Sequence, residues 1–122
     1  ALQGLGVLHI LIAQNIAIDE ENSNLNNKKL SKNQKQAKKE YKKSLPYLTD
    51  YYNLLKSQNA DKSKLLESLN YLRNAYYNLS LLKDKSSYKK FEEVDNEIDL
   101  LYKKLIPAMQ YASLKQHPVR LF

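Results

Sequence analysis

The sequence predicts an all-α fold in which helices pair as antiparallel hairpins. Apolar residues recur at alternating spacings of four and three over long stretches, which places them on one face of an α-helix. Only two Gly and three Pro occur among the 122 residues, so the chain lacks the frequent tight turns of a many-stranded β fold. The length suits a single domain that spans residues 1 to 122.

The first predicted helix covers residues 1 to 18. The apolar residues that follow helical spacing predict its buried face: Leu5, Leu8, Ile12 and Ile16. Small residues leave room for the close packing of a partner helix: Gly4, Gly6, Ala13 and Ala17. Polar side chains interrupt the apolar run, so we expect no transmembrane segment. The chain starts within this helical pattern and without Met, and we therefore expect it to be part of a longer protein.

The second predicted helix covers residues 31 to 57 and follows a polar stretch from 19 to 30. Ser31 is the predicted N-cap. Pro46 lies inside the pattern, where proline removes a backbone hydrogen bond and costs about 3 kcal/mol. We favour a continuous helix that bends at Pro46 over a separate helix that begins there. Its apolar side is Ala37, Tyr41, Leu45, Leu48, Tyr52 and Leu55.

Two further helices are predicted at 62 to 82 and 87 to 106. Their apolar stripes again alternate spacings of four and three, with Leu65, Leu69, Leu72, Tyr76 and Leu79 in one and Phe91, Val94, Ile98, Leu101 and Leu105 in the other. Pro107 ends the fourth helix and leaves a C-terminal tail from 107 to 122. Four such helices form either a stack of hairpins or a closed four-helix bundle.

The segment "LRNAYYNLS" at 72 to 80 resembles the first helix of a tetratricopeptide repeat. Six positions agree with the family pattern: Leu72, Asn74, Ala75, Tyr76, Tyr77 and Leu79. Arg73 departs from it, because the family has a small residue there, and Ser80 stands where Gly is preferred. The matching second helix carries Ser87, Phe91 and Val94.

An earlier unit resembles the same repeat with a long insertion. Leu5 and Gly6 supply its Leu-Gly pair, and His9 takes the place of the usual aromatic residue. Its second helix carries the small, aromatic, small and large series as Ala37, Tyr41, Ser44 and Leu45. A Lys-rich insertion followed by "KKSLPYL" is similar to tetratricopeptide-like proteins of Bacteroidetes-type bacteria.

This resemblance implies a short right-handed solenoid of stacked hairpins, with a four-helix bundle as the alternative. Repeat 1 would cover about 1–57, with the insertion at 19–33, and repeat 2 about 61–106. The resemblance also implies a scaffold that binds a protein or peptide partner along the first helices of each pair. The residues expected to line that groove are Gln3, Val7, Ile10, Gln14, Glu67, Asn70, Asn74 and Tyr77. For Val7 and Ile10, packing on a preceding repeat is the alternative.

The sequence offers no pattern typical of catalysis, and we expect a protein that is not an enzyme and needs no cofactor. There are no cysteines, which excludes disulfides and Cys-ligated metals. His9 and His117 are far apart, and no group of side chains has the spacing of a metal site. We expect His9 to be a packing residue. The acidic run at 92 to 99 flanks the core stripe of its helix and is interpreted as a solvated face.

A basic segment supports an alternative function, the binding of nucleic acid or another anionic surface. The chain has a net charge of +7, and eight lysines fall within residues 28 to 43: Lys28, Lys29, Lys32, Lys35, Lys38, Lys39, Lys42 and Lys43. Lysine supplies 18 of the 20 basic residues, whereas arginine is favoured for reading phosphates and bases. A solvated basic surface is therefore the preferred interpretation. The bacterial envelope, the periplasm and the cytoplasm all fit this composition.

Overall fold

The chain forms four α-helices in a computed structural model that describes residues 2–19 and 30–105. The helices are α1 (Leu2–Asp19), α2 (Lys32–Ser57), α3 (Lys62–Leu81) and α4 (Lys85–Leu105). These residues contain no β-strand, so the predicted all-α class is confirmed. Within the same ranges, no helix combines the length and the apolar character needed to cross a membrane. The predicted tail and most of the predicted insertion lie outside the described residues.

The helices alternate in direction, and each packs on its neighbours in the sequence. Helix α1 packs on α2, α2 on α3, α3 on α4, and α1 also touches α3. Gly6 faces Ser44 and Leu48 on α2, while the side chain of Gln3 reaches Glu67 on α3. Within the described ranges, no Cα atom of α4 comes within 8 Å of α1 or α2.

The ends of α2 are fixed by local hydrogen bonds. The Ser31 hydroxyl accepts from the Gln34 backbone N–H at 3.0 Å, and the Gln34 side chain accepts from the Ser31 N–H at 2.9 Å. This reciprocal capping box confirms Ser31 as the N-cap. The helix then runs without interruption through Pro46 to Ser57, which confirms the continuous helix. Pro46 lies on its exposed side, away from the core.

Both tight turns between helices use a residue other than glycine in the left-handed region. Asn59 has φ 52° and Lys83 has φ 66°. After α2, the Ala60 N–H bonds to the Leu55 carbonyl and the Asn59 N–H to the Lys56 carbonyl, which is a Schellman motif. These bonds satisfy carbonyls at the helix end and reverse the chain, so α3 packs back along α2.

The core lies along the facing sides of α2, α3 and α4, close to the predicted stripes. Its buried apolar residues on these helices are Ala37, Tyr41, Leu48, Leu55, Leu66, Leu69, Leu72, Ala75, Leu79, Val94 and Ile98. Tyr76 and Phe91, which belong to the predicted stripes, are only half-buried. Burial raises the pKa of Tyr41 to about 12, since ionised tyrosine is disfavoured away from water.

The prediction for the buried face of α1 was wrong. Leu5, Leu8 and Ile12 are exposed, and only Ile16 of the predicted stripe is half-buried. The buried face instead consists of Gly6, Ile10 and Ala13. The physical reason is the closeness of α2, because small residues must face a helix that approaches this near.

Gly6 marks the closest approach of α1 and α2. A Cβ atom at Gly6 would come within 2.6 Å of Cγ and Cδ2 of Leu48 and within 3.3 Å of the Ser44 carbonyl oxygen. Leu48 is fully buried and has little room to move aside. Gly4, two residues earlier, has nothing within 4 Å of the equivalent position.

We expect Gly6→Ala to destabilise the protein and Gly4→Ala to stabilise it. The first adds a methyl group to a filled interface, which lowers the free energy of unfolding by about 1 to 3 kcal/mol. The second replaces glycine at a helical position with open space around it, which raises the free energy of unfolding by up to about 1 kcal/mol. Urea unfolding followed by far-ultraviolet circular dichroism measures both changes. Equal effects at the two positions would contradict the close approach at Gly6.

Candidate interaction groove

The parallel helices α1 and α3 border a cavity of about 230 Å³. Four of the eight residues predicted from the sequence line it, namely Val7, Ile10, Gln14 and Asn74. Leu11 and Tyr71 complete the wall and were missed. Helical spacing could have indicated both residues. Leu11 lies four residues after Val7 and Tyr71 three residues before Asn74, so each shares a helix face with a residue that was predicted.

Gln3 and Glu67 lie on the same two helices, seven residues before Ile10 and Asn74. The Gln3 Nε2 atom donates to Glu67 Oε1 at 3.3 Å. The other amide atom of this side chain, Gln3 Oε1, is buried and has no hydrogen-bond partner. We call the α1–α3 surface that runs from this pair to the cavity the groove, and six of the eight predicted residues belong to it.

Asn74 is the most deeply buried polar residue of the groove, with 1% of its surface exposed. Its Oδ1 accepts from Asn78 Nδ2 at 2.7 Å, and the same Nδ2 donates to the Asn74 main-chain carbonyl at 2.8 Å. The Asn78 amide is therefore held by two acceptors of residue 74, and the Asn74 side chain has to point its Oδ1 atom towards Asn78 Nδ2. This leaves Asn74 Nδ2 buried without a partner, which costs about 1 to 3 kcal/mol.

The other two predicted groove residues, Asn70 and Tyr77, do not line the cavity. The buried guanidinium of Arg73 donates from Nη2 to Asn70 Oδ1 and from Nη1 to Asp95 Oδ1, each at 2.8 Å. The Tyr77 ring packs on Phe91 of α4, with centroids 5.3 Å apart. Asn70 and Tyr77 are therefore held by contacts that join α3 to α4.

His9 is a packing residue, as the sequence predicted. Its Nδ1 atom lies 2.7 Å from Glu40 Oε2, and its ring stacks on Tyr47 with centroids 5.8 Å apart and planes inclined by 8°. Glu40 is itself buried and is also paired with Lys43 at 3.6 Å. Among residues 2–19 and 30–105, no group of three or more His, Asp or Glu side chains is arranged to hold a metal ion.

The basic surface lies on α2, a helix that contributes no residue to the cavity. Lys32, Lys35, Lys39, Lys42 and Lys43 are exposed and Lys38 is half-buried, while Lys28 and Lys29 are outside the described residues. The Lys42 Nζ atom lies 3.9 Å from Asp84 Oδ2. Part of this positive charge is therefore balanced by the protein's own carboxylates.

Asp84 immediately precedes α4 and accepts a hydrogen bond from the Ser86 hydroxyl at 2.9 Å. Partial burial pushes its pKa upwards. Hydrogen bonds from Ser86 and Ser87 and the charges of Lys42 and Lys38 outweigh this effect, so the pKa of Asp84 lies below its ordinary value of 3.8. The folded protein thus stabilises the ionised form of the Asp84 carboxyl group more than the unfolded chain does.

We expect Asp84→Asn to destabilise the protein in a pH-dependent way. A lowered pKa in the folded state stabilises it above the unfolded value of 3.8, and this contribution is lost as the pH falls through the folded value. The loss of stability on substitution should be full at about pH 6 and shrink below about pH 4. Urea unfolding at a series of pH values measures it.

Asp61→Asn is the matched control, because Asp61 also precedes a helix but makes no side-chain capping bond. It should cost less stability than Asp84→Asn at about pH 6. A pH-independent effect at Asp84 would contradict the role of its charge.

No protein-family model matches the sequence, and no curated protein or solved structure matches it. The resemblance to tetratricopeptide repeats therefore rests on the residues named above and remains a hypothesis.

Proposed function

We propose that the protein is a non-enzymatic interaction module that binds a protein or peptide partner along the α1–α3 groove. The observation that carries this proposal is the cavity between α1 and α3, which is bordered by apolar side chains and by a buried amide without a partner. A surface that is apolar and has a few directed polar groups is typical of binding sites.

The packing of the helices supports a tetratricopeptide-like stack. Helices α1 and α3 run in the same direction and form one layer, as the first helices of two stacked hairpins would. Helix α4 does not return to α1, whereas the first and last helices of a closed four-helix bundle are usually neighbours. Gly6 also fits the small-residue position at which the family's paired helices approach closely.

Arg73 departs from the family pattern, and its contacts suggest how the second hairpin tolerates it. Its guanidinium bonds to Asp95 on α4 and to Asn70 on its own helix. The buried Arg73 side chain, paired with the more exposed Asp95, fills the space between two helices that a small residue would otherwise let close. At this position the second hairpin thus has a polar contact, where the first has the close packing at Gly6.

Exposed leucines on α1 add to the apolar surface beside the groove. Leu8 and Leu11 are 50% and 51% exposed, and Leu5 and Ile12 are also exposed. Contiguous apolar side chains at a surface are typical of contacts with other proteins. Leu11 lines the cavity and Leu8 does not, so the two leucines offer a test of the groove at matched exposure.

The alternative function is the binding of nucleic acid or another anionic surface through the exposed lysines of α2. The observation that favours it is the run of exposed lysines from Lys32 to Lys43. Such binding depends on the release of counterions and weakens steeply with salt. Contacts in an apolar groove depend on salt much less, so the two functions predict different behaviour.

We expect peptides selected on the protein to depend on Leu11 and not on Leu8. Random linear peptides displayed on phage are selected against the 122-residue chain, and their affinities are measured by fluorescence anisotropy. Leu11→Lys should weaken them at least about tenfold, because it places a charge in the cavity. Leu8→Lys adds the same charge at the same exposure and should leave affinity within about twofold.

Reversal of charge at two exposed lysines separates the two functions. Lys35→Glu together with Lys39→Glu should leave groove binding nearly unchanged. A loss of binding in this variant, combined with normal binding by Leu11→Lys and a steep dependence on salt, would overturn the proposed function. The basic surface of α2 would then be the site.

A further inference from the structure

We propose that the C-terminal tail, residues 107 to 122, docks on a surface of the α3–α4 hairpin that we call the outer face. This surface is formed by Asn70, Tyr77, Tyr88, Phe91 and Asp95. None of these residues lines the cavity between α1 and α3, so the inference is independent of the proposed function. The partly exposed rings of the outer face, its charge and the reach of the tail support it.

The outer face contains three aromatic rings in contact with one another. The Phe91 ring packs on Tyr77 with centroids 5.3 Å apart and on Tyr88 with centroids 5.9 Å apart. Tyr88 is 52% exposed, and Tyr77 and Phe91 are only half-buried. Large aromatic side chains gain free energy when they are covered, and a contiguous exposed group of them is typical of a contact surface.

The first two helices leave the outer face uncovered. Glu97 of α4 accepts a hydrogen bond from Tyr52 of α2, whereas Asp95 lies two residues earlier, about 200° around the helix. Within residues 2–19 and 30–105, no Cα atom of α1 or α2 lies within 8 Å of α4. Another segment of the chain can therefore reach the rings without displacing a helix.

The charge of the outer face matches that of the tail. The tail contains Lys115 and Arg120 but no Asp or Glu. On α4, Glu92 lies four residues after Tyr88 and Asp95 four residues after Phe91, so each carboxylate lies beside a ring. The exposed leucines of α1 offer no such match, because residues 2 to 18 contain no Asp or Glu. Charge complementarity therefore directs the tail to the outer face.

The tail is long enough to cover the rings and has apolar side chains to place on them. Phe91 lies 14 residues before Leu105, which is about 21 Å along α4. The 16 residues of the tail span about 24 Å even as a helix and more when extended. Pro107 disfavours continuation of α4, so the chain can turn back after it. The apolar residues of the tail are Met109, Tyr111, Leu114, Val119, Leu121 and Phe122.

A nitroxide spin label on the tail tests the docking directly. The chain has no cysteine, so Gln116→Cys creates a single site for the label, and His117→Cys provides a second, independent one. The label broadens amide resonances of nearby residues in the ¹⁵N-labelled 122-residue chain. We expect the strongest broadening at Phe91 and Asp95 and much weaker broadening at Leu8 of α1.

Two matched pairs of substitutions on α4 test the rings and the charge. Tyr88→Lys removes a ring and places a positive charge against the basic tail, so most of the broadening should be lost. Leu100→Lys is its control, because Leu100 is 56% exposed but lies five residues after Asp95, about 140° around the helix. Glu92→Lys should also reduce the broadening. Glu93→Lys, at the neighbouring exposed position, should not.

Three results would overturn the inference: broadening that is strongest on α1, broadening that is absent from the outer face, or equal broadening within each pair of variants. A mixture of spin-labelled chains with unlabelled ¹⁵N chains separates docking within one molecule from docking between two. Broadening of the outer face in that mixture would assign the tail to a second copy and would also overturn the inference. The dependence of selected peptides on Leu11 is measured separately, so the proposed function is unaffected by either outcome.

Discussion

The close approach of α1 and α2 at Gly6 is the constraint on which the rest of the structure depends. With Leu48 packed against the Gly6 backbone, α1 can present only one face to α2, and Ile10 and Ala13 follow Gly6 into the core. The same rotation turns Val7 and Gln14 towards α3, where they border the cavity. It also turns Leu5 and Leu8 outwards. The absence of a side chain at Gly6 therefore determines which residues of α1 enter the core, which border the groove and which remain exposed.

Polar contacts then fix how each helix is positioned along its neighbour. His9 and Glu40 join α1 to α2, and Arg73 and Asp95 join α3 to α4. The Tyr52 hydroxyl donates to Glu97 at 2.7 Å and so joins α2 to α4. Apolar surfaces slide past one another at little cost, whereas a displacement of the helices would leave the buried side chain of Glu40 or Arg73 without its partner. These contacts therefore specify the alignment of the helices more than they add stability.

Much of the fold could be predicted from the sequence, and the failures have identifiable physical causes. The polar segments between the helices, the Ser31 N-cap and the apolar stripe of α2 differ clearly in composition from the residues beside them. The bounds of the helices were therefore predicted well. Helix α1 is apolar on most sides, and its spacing alone did not reveal which side faces α2. The burial of the charged residues Arg73 and Glu40 was not predicted. Their burial depends on partners on other helices, which local periodicity does not reveal.

The groove combines features that stability alone would not favour. A leucine at position 74 would avoid the unpartnered amide, and a larger residue at Val7 would reduce the cavity. The chain instead keeps a buried donor beside an apolar space, at a cost of about 1 to 3 kcal/mol for the amide. Places where a sequence departs from its own packing rules tend to be functional sites. Here the departures at Asn74 and at the cavity coincide on α1 and α3, while the basic surface of α2 follows the ordinary rule that lysines are solvated. This contrast is why the groove, and not the lysines, is the stronger candidate for the binding site.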